Sequence, residues 1–243
     1  MVSTGADAAK QAIRTEIWDL LERERAVERG VHGYIPDFGG AGTAADRLAH
    51  LTAWQAARVI KAVPDRAQQP VRERALRDGK LLYMAVPMLA DDLPFYSLDP
   101  ASLTVPPPEA ASRTTAARIA PKIALDQMRP IDMVVCGSVA VNRQGARLGK
   151  GAGYSDIEVA LLQEAGLIGP DTVIATTVHR LQVVGEALPE TEHDFSVDLI
   201  VTPDEVIECG PPRRPSGLYW EHLTKDKIAA IPVLAAKAAA RRS

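Results

Sequence analysis

The amino-acid sequence predicts an α/β protein in which helices cover both faces of a mainly parallel sheet. Helix-like segments alternate with short, fully apolar runs, and such runs are typical of parallel strands buried on both faces. The chain has 243 residues, of which 47% are hydrophobic, enough to bury a substantial core. One apolar run also leads through a glycine-rich loop into a helix, the arrangement of many anion sites.

The first half of the chain begins with a predicted helix over about residues 6–28. Its apolar residues recur at helical spacing with charges between them: Ile13, Ile17, Leu20 and Leu21. Turn-forming residues dominate positions 30–42. After them we expect helices at 43–51, 52–58 and 70–78, and strands at the apolar runs 59–63, 80–86 and 94–98.

A proline-rich segment at about residues 103–120 breaks this alternation. Its three successive prolines, Pro106 to Pro108, favour an extended, polyproline-like path over a helix or a central strand. We therefore expect a long connection near the functional site within a single domain of residues 1–243. A domain boundary at this segment is the alternative.

The second half of the chain continues the alternation of strands and helices. We expect strands at 131–141, 173–178, 198–201 and 206–208, and a helix at 155–165 between the first two strands. The last residues, about 233–243, form a basic, alanine-rich tail for which a frayed helix is expected.

The most informative motif is the glycine-rich run RLGKGAGYSD, residues 147–156. Gly149, Gly151 and Gly153 let the backbone approach a ligand closely, while Arg147 and Lys150 offer positive charge to anionic oxygens. The following helix directs its N–H groups and its positive dipole end at the same place. The spacing matches neither a Walker loop nor a Rossmann fingerprint, so a flexible turn with solvated charges is the alternative.

Two further groups of residues bear on this loop. Asp156, at the start of the following helix, could cap that helix or bind a hard cation such as Mg²⁺. Lys10 and Arg14 lie four positions apart on the first helix and so share one face. That face is either a solvated basic stripe or a second source of cations for a phosphate.

Other polar and aromatic residues are weaker candidates. His32 and Tyr34 lie in the turn-rich segment and could line a pocket or hold a loop. His179 follows an apolar strand, where ligands bind in parallel sheets, although a structural histidine is the alternative. His193 and Asp194 are adjacent and point in different directions if the chain is extended, so we expect them to form loop hydrogen bonds.

Composition narrows the classes of function. The formal net charge of -3 gives no general attraction for nucleic acid. The chain contains no apolar run of about 18 residues and no signal-peptide core near its start, so we expect no membrane partner and a cytoplasmic location. Its two cysteines, Cys136 and Cys209, lie in or at the end of apolar runs, which favours small buried hydrophobes over a disulfide.

The glycine-rich run resembles the RLGxGxGYYD signature of the 5-formyltetrahydrofolate cyclo-ligases. Segments that match this family occur in the same order along most of the chain: KQAIR, DGKLLYMAVP and LQVVGEALPETEHDFSVDLIVTP. The sequence VVCGSVAV before the loop is similar to the branch that includes the methenyltetrahydrofolate synthetase domain-containing proteins. This resemblance implies a Rossmann-like fold of the NagB, RpiA and CoA-transferase type.

The resemblance also implies a reaction. Members of the family use ATP and Mg²⁺ to activate the formyl oxygen of 5-formyltetrahydrofolate by phosphoryl transfer, after which N10 closes the ring and phosphate leaves. It assigns ATP to Lys10, Arg14, Arg147, Gly149, Lys150, Gly151, Ala152, Gly153 and Tyr154. Lys150 and Arg147 would also be catalytic, and Asp156 would bind the metal.

The candidate residues for the second substrate, a reduced folate or a similar small molecule, are His32, Tyr34, Tyr154, His179 and Gln182. We expect a monomer or a homodimer. Three features of the family are missing from this part of the chain. Ser155 follows Tyr154 where the family has a second tyrosine. The stretch PDRAQQPV contains Asp65 but has no carboxylate at the position where a folate-side glutamate is expected. The connection before the loop also lacks the expected aromatic residue.

Three functions therefore remain open from the sequence. The first is an ATP-dependent 5-formyltetrahydrofolate cyclo-ligase. The second is an enzyme with the same ATP and Mg²⁺ chemistry that acts on another substrate bearing an amide or a carboxylate. The third is a non-catalytic module that binds a nucleotide or a folate.

Overall fold

A computed structural model describes residues 4–241 of the chain. Residues 1–3 of the opening segment and residues 242–243 of the basic tail lie outside the described residues. The described part contains nine α-helices: α1 Thr4–Arg23, α2 Ala41–Ala49, α3 Thr52–Ala56, α4 Gln69–Arg77, α5 Pro107–Ala110, α6 Arg113–Ile119, α7 Tyr154–Glu164, α8 Lys225–Ala230 and α9 Pro232–Ala240. No helix among these residues is long and apolar enough to cross a membrane.

The strands form an eight-stranded sheet and a smaller three-stranded sheet within residues 4–241. They are β1 Val59–Ala62, β2 Leu81–Ala85, β3 Phe95–Leu98, β4 Lys122–Ile123, β5 Met133–Cys136, β6 Ala140–Asn142, β7 Arg147–Leu148, β8 Val173–Thr177, β9 Val183–Val184, β10 Leu199–Val201 and β11 Val206–Glu208. The large sheet has the order β11, β10, β8, β5, β1, β2, β3, β4, and the small sheet has the order β7, β6, β9.

The five central strands of the large sheet run parallel to one another in the order β10, β8, β5, β1 and β2. Antiparallel strands complete both edges, with β11 at one edge and β3 and β4 at the other. This mainly parallel arrangement confirms the fold class predicted from the alternation of helices with fully apolar runs.

Alternate residues of the central strands supply two hydrophobic cores on opposite faces of the sheet. On one face, Ile60 and Val135 pack in a cluster with residues of α1 to α6. On the other face, Val134 and Ile174 pack with α7 and with Leu234 of α9. Helices therefore cover both faces, which explains why the central strands are mostly apolar on both sides, with Lys61 of β1 as a charged exception.

The predicted strand at 131–141 is divided in the structure. Strand β5 pairs with β1 and β8 in the large sheet, whereas β6 pairs with β7 and β9 in the small sheet. Gly137 lies at the break, and a Cβ there would come within 2.9 Å of the Ile35 side chain. Sequence periodicity missed the break because the residues on both sides of it are equally buried.

The proline-rich segment also differs from the prediction of an extended path. Pro107 begins helix α5, and α6 follows from Arg113 to Ile119. Of the three prolines, only Pro106, before α5, keeps an extended conformation. Proline is accepted in the first turn of a helix, where its missing N–H group has no partner to lose. The segment nevertheless reaches the candidate site, since Ser112 and Arg113 line one of its cavities.

The first helix ends at Arg23, earlier than the predicted end near residue 28. Arg25 has a φ of 56°, and the N–H of Ala26 donates to the carbonyl of Leu21 at 2.9 Å. This is a left-handed C-terminal turn with the hydrogen bond of a Schellman motif. Glycine usually occupies the left-handed position of such a turn, so an arginine there gave no sequence signal for the end of the helix. In the tail, α9 bears out the predicted helix as far as Ala240.

Candidate functional site

The glycine-rich run connects the small sheet to α7. It leaves β7 at Leu148 and enters α7 at Tyr154. Gly151 and Gly153 have φ values of 96° and 71°, a left-handed conformation that a residue with a Cβ rarely adopts. The first N–H groups of α7 therefore lie directly behind the loop, as expected for a site that binds an anion.

A cavity of about 120 Å³ lies against this loop, and we call it the loop cavity. It brings together all the residues that the sequence assigned to phosphate and metal. Those lining it include Lys10, Arg14, Arg147, Gly149, Lys150, Gly151, Ala152, Gly153, Tyr154 and Asp156. Helix α1 and the loop thus contribute cations from opposite ends of the chain to a single cavity.

Each of these cations has a partner in the protein. Lys10 forms an ion pair with Asp194 at 2.5 Å, and Lys150 forms one with Asp65 at 3.0 Å. The Arg14 Nε–H group donates to the carbonyl oxygen of Gly149 at 2.7 Å. These contacts hold the cations in place around the cavity, where an anionic ligand would compete with the carboxylates for them.

Arg147 is the most deeply buried cation of the loop cavity. Its side chain is 3% exposed and lies 3.3 Å from Asp156, while its guanidinium carbon lies 4.4 Å from the centre of the Phe195 ring. Its Nε atom is buried without a hydrogen-bond partner among the described residues. Because a buried donor without an acceptor is costly, this atom marks a place where an anionic ligand would be stabilised.

The carboxylates of the cavity have perturbed pKa values. Burial raises the pKa of Asp156, although the positive charge of Arg147 opposes that shift. Burial also acts to raise the pKa of Asp194, but hydrogen bonds from Lys10 and Thr191 outweigh it, and the pKa is lowered. The two acidic groups therefore differ, because Asp194 is tied to donors whereas Asp156 lacks enough of them to offset its burial.

The donor set of the loop cavity suits Mg²⁺ only together with a phosphate. No group of three or more His, Cys, Asp or Glu residues in the described part could hold a metal ion by itself. Magnesium is commonly bound by one or two carboxylates, with phosphate oxygens and waters as its other ligands. Asp156 can supply one such carboxylate, so the residues present fit a nucleotide-bound Mg²⁺.

The five candidate residues for the second substrate do not form one group. Tyr154 lines the loop cavity, whereas Tyr34 is 66% exposed beside another cavity. His32 lies outside both cavities, where its Nε2 atom lies within hydrogen-bond distance of Asp19 at 3.0 Å.

The other two candidates have structural contacts. Gln182 is buried and donates to the carbonyl oxygens of Ser138 and Val139, and it accepts from the N–H of His179. Burial lowers the pKa of His179. Neither residue lines the loop cavity or the cavity beside Tyr34.

A second cavity of about 500 Å³ adjoins the loop cavity, and we call it the arginine cavity. Its cationic lining residues are Arg29, Arg66, Arg72, Arg113 and Lys150. Arg72 is 1% exposed, and burial lowers its pKa to about 10. It donates to the carbonyl oxygens of Val63, Asp65 and Ala111 and forms no ion pair with a described carboxylate, so it leaves positive charge at the cavity wall.

Three residues line both the loop cavity and the arginine cavity: Ile35, Asp65 and Lys150. Asp65 is the single carboxylate of the stretch PDRAQQPV, although it does not stand at the position where the family glutamate is expected. It follows β1 at the carboxyl edge of the sheet, which is the ligand-binding edge of a parallel sheet. The junction between the two cavities is therefore made by an ion pair, that of Asp65 with Lys150.

Sequence reasoning missed two contributors to the loop cavity. Asp194 was expected to form loop hydrogen bonds. It does accept from Thr191, but it also lines the cavity and pairs with Lys10. His193 lines the cavity as well. The available signal was the run of neighbouring acidic and basic residues within LQVVGEALPETEHDFSVDLIVTP. The pairing of Asp194 with Lys10 of α1, however, depends on the fold.

Comparison with known proteins agrees with this arrangement. The model of the 5-formyltetrahydrofolate cyclo-ligase family matches residues 6–203. The chain belongs to this family. The match includes both α1 and the glycine-rich loop, so the two sources of cations both fall within it.

Similar proteins include the methenyltetrahydrofolate synthase domain-containing proteins, which form the branch that the sequence resembles. The methenyltetrahydrofolate synthase domain-containing protein of Mus musculus is 38% identical over an alignment of 246 positions, gaps included, which covers 96% of this chain and 64% of the relative. The corresponding protein of Bos taurus is 37% identical over an alignment of 242 positions, which covers 94% of this chain and 62% of the relative. The chain thus spans less than two thirds of the length of these relatives.

The fold is similar to a solved structure from the same family. The 5,10-methenyltetrahydrofolate synthetase of Aquifex aeolicus matches with a TM-score of 0.54 and 20% identity, over 83% of this chain and 93% of the other. At this level of identity the similarity supports the fold alone.

Proposed function

We propose that the protein is an ATP- and Mg²⁺-dependent cyclo-ligase that converts 5-formyltetrahydrofolate to 5,10-methenyltetrahydrofolate. The observation that carries the proposal is the convergence of Lys10, Arg14, Arg147 and Lys150 on one cavity behind the N-terminus of α7. Membership of the cyclo-ligase family supports the same reaction.

In this proposal the loop cavity holds the phosphates of ATP. Lys10 and Arg14 bind the phosphate chain from the side of α1, and the N–H groups at the start of α7 bind it from the other side. Arg147 and Lys150 neutralise the negative charge of the phosphoryl group as it is transferred. Mg²⁺ bound between Asp156 and the phosphates would supply further charge neutralisation.

The second substrate occupies the adjoining arginine cavity in the same proposal. Its formyl oxygen meets the phosphoryl group at the junction formed by Asp65 and Lys150, N10 then attacks the formyl carbon, and phosphate leaves. The arginines of this cavity suit a substrate with carboxylates, and the glutamyl part of a folate carries such groups. Asp65 lies where it could orient the reacting end of that substrate.

The arginine cavity is lined by few aromatic side chains, and this favours a second function. Tyr34 is the one aromatic residue among its lining residues, and Ser155 replaces a family tyrosine in the loop. A pterin stacks well on aromatic rings, whereas a smaller anionic substrate needs only the arginines. The alternative is therefore ATP-dependent activation of another substrate bearing an amide or a carboxylate, with the same use of the loop cavity.

The absorbance of the methenyl product distinguishes these functions. Purified protein is mixed with 5-formyltetrahydrofolate, ATP and Mg²⁺, and each component is omitted in turn. A rise in the methenyl band that needs all three supports the cyclo-ligase. If no band appears while the protein still binds ATP, the folate reaction is wrong, and ADP release with small formamides and carboxylates then tests the second function.

A non-catalytic role is the third outcome of the same experiment. It would follow from ATP binding without ADP release for any of these substrates.

A further inference from the structure

A third cavity lies on the other side of the glycine-rich loop. It has a volume of about 150 Å³, and we call it the ring cavity. It is enclosed between α7 and the segment 217–227, which includes the start of α8. The family model ends at residue 203, so that segment lies outside the region that the family model describes.

The walls of the ring cavity are mostly apolar. Ile157 and Ala160 of α7 face Leu218 and Leu223 of the 217–227 segment across it. Tyr219 and His222 also line it, with their rings stacked at a centroid distance of 5.6 Å and an interplanar angle of 12°. Carbon-lined walls with stacked rings suit a flat aromatic group better than a phosphate or a carboxylate.

The 217–227 segment is fastened directly to the glycine-rich loop. Lys227 donates from its Nζ atom to the carbonyl oxygen of Ala152 at 2.9 Å. The same atom lies 3.7 Å from the centre of the Tyr154 ring. On the other side, the His193 and His222 rings meet edge to face at 5.3 Å. The segment is therefore positioned against the loop that receives the phosphates.

The ring cavity is continuous with the loop cavity. Gly153, Asp156 and His193 line both of them. Each cavity alone is smaller than the roughly 300–1,000 Å³ of most small-molecule sites. A ligand that fills both would have an anionic part at the loop and an uncharged, planar part between the rings and α7, which is the chemistry of a nucleotide.

We propose that the ring cavity binds the base of the nucleotide and that residues 217–227 act as a base-binding cap. This inference rests on the proposed function in one respect, because it takes the phosphates to occupy the loop cavity. The nucleotide then extends from the ring cavity, over the loop, to Lys150 at the edge of the arginine cavity. Its terminal phosphate thereby comes closest to the second substrate.

The test compares the binding of ATP with that of inorganic tripolyphosphate by isothermal titration calorimetry, each in the presence of Mg²⁺. Because stacking of a base contributes substantially to binding, wild-type protein should bind ATP at least about tenfold more tightly than tripolyphosphate. Equal affinities would overturn the base-binding proposal alone. Failure to bind either ligand would overturn the proposed function and this inference with it.

Two variants locate the base. Ala160→Phe fills the ring cavity, and Tyr219→Ala removes one of its rings without placing bulk in the core. Both should weaken ATP binding by about tenfold and leave tripolyphosphate binding unchanged. Ala165→Phe, on the exposed end of α7, is the control and should bind both ligands as the wild type does. Unchanged ATP affinity in Tyr219→Ala and Ala160→Phe, or an equal loss for both ligands, would contradict the proposal.

Discussion

Three cations of the loop cavity form ion pairs: Lys10, Arg147 and Lys150. Lys150 is the most exposed of them, with a side chain that is 38% exposed. Its partner is Asp65, and it lines both the loop cavity and the arginine cavity. Its replacement would therefore remove the proposed phosphate contact with little effect on the core. The same exposure lets the side chain turn from Asp65 towards a bound phosphate.

We predict that Lys150→Ala weakens ATP binding by about tenfold or more, because a hydrogen bond to a charged group contributes about 1.5–3 kcal/mol. Calorimetric titration with ATP and Mg²⁺ measures the effect. Lys122→Ala, which removes an equally exposed lysine of β4 that is paired with Asp91 away from the three cavities, serves as the matched control. Unchanged ATP affinity in Lys150→Ala would show that the assignment of the phosphates to this cavity is wrong.

Asp194 makes stability depend on pH. Its pKa in the folded protein is lowered, so its contribution to stability is present above the unfolded pKa of about 3.9 and is lost as the pH falls through the folded pKa. We predict that Asp194→Asn lowers the free energy of unfolding at pH 7 by about 3 kcal/mol, since Lys10 then loses its buried partner.

The loss in Asp194→Asn should shrink as the pH falls from about 3.9 towards the lower pKa of folded Asp194, because the unfolded wild type then binds a proton that the folded ion pair does not. Chemical denaturation at several pH values measures this, with the exposed neighbour Glu192 replaced in the control variant Glu192→Gln. A loss that is equally large in acid would mean that the ion pair with Lys10 does not stabilise the fold.

Single residues also show the limit of sequence reasoning. Spacing predicted that Lys10 and Arg14 share one helix face and that Arg147 and Lys150 lie in one loop. That both pairs belong to one site was implied by the family resemblance. The pairing of Lys10 with Asp194 joins positions 184 apart in the chain. No local pattern reports such a contact, and it becomes visible only when α1 packs beside residues 190–194.

At the scale of secondary-structure elements, a buried ion pair connects the central sheet to the helix that follows the glycine-rich loop. Lys61 lies within β1 and Glu158 within α7, and their side chains are 1% and 7% exposed. Lys61 donates from its Nζ atom to Glu158. This contact fixes α7 over the sheet and so helps to position the N-terminus of α7 behind the loop.

We predict that Glu158→Leu alone lowers the free energy of unfolding by about 3–5 kcal/mol, because it leaves the Lys61 charge buried without a partner. The double variant Lys61→Met with Glu158→Leu should lose much less, since no charge remains buried. Urea denaturation of both variants and the wild type measures the difference. Equal losses of unfolding free energy in the single and double variants would contradict the view that Glu158 compensates the buried charge of Lys61.

Element boundaries were predicted less well than element types. The central parallel strands and α7 followed from apolar runs and helical periodicity. The division between β5 and β6 did not, because Gly137 turns the chain between two sheets without any change in hydrophobicity. The helices α5 and α6 were missed because three prolines suggest an extended chain, whereas Pro107 occupies a first-turn position that accepts proline.

At the scale of the whole molecule, the three cavities are arranged in a row along the glycine-rich loop. The ring cavity meets the loop cavity at Gly153, Asp156 and His193, and the loop cavity meets the arginine cavity at Ile35, Asp65 and Lys150. The proposed order is base, phosphates and second substrate. Helix α1, the loop and residues 193–194 all line the loop cavity, so distant parts of the chain meet around the proposed phosphate site.

This arrangement predicts that ATP stabilises the whole fold. A ligand at a hundredfold excess over its Kd raises the free energy of unfolding by about 2.7 kcal/mol when it binds only the folded state. The midpoint of thermal unfolding should therefore rise with ATP concentration in the wild type, and rise less in Arg14→Ala at the same concentrations. A midpoint that does not change with ATP would contradict a nucleotide site built from these three segments.

The most direct test of the central claim is the ratio of ADP to methenyltetrahydrofolate formed from 5-formyltetrahydrofolate, ATP and Mg²⁺. Phosphoryl activation of the formyl oxygen in the loop cavity predicts one ADP for each methenyl product, with both lost together in Lys150→Ala. Methenyl product without ADP, or ADP without methenyl product, would contradict the proposed reaction.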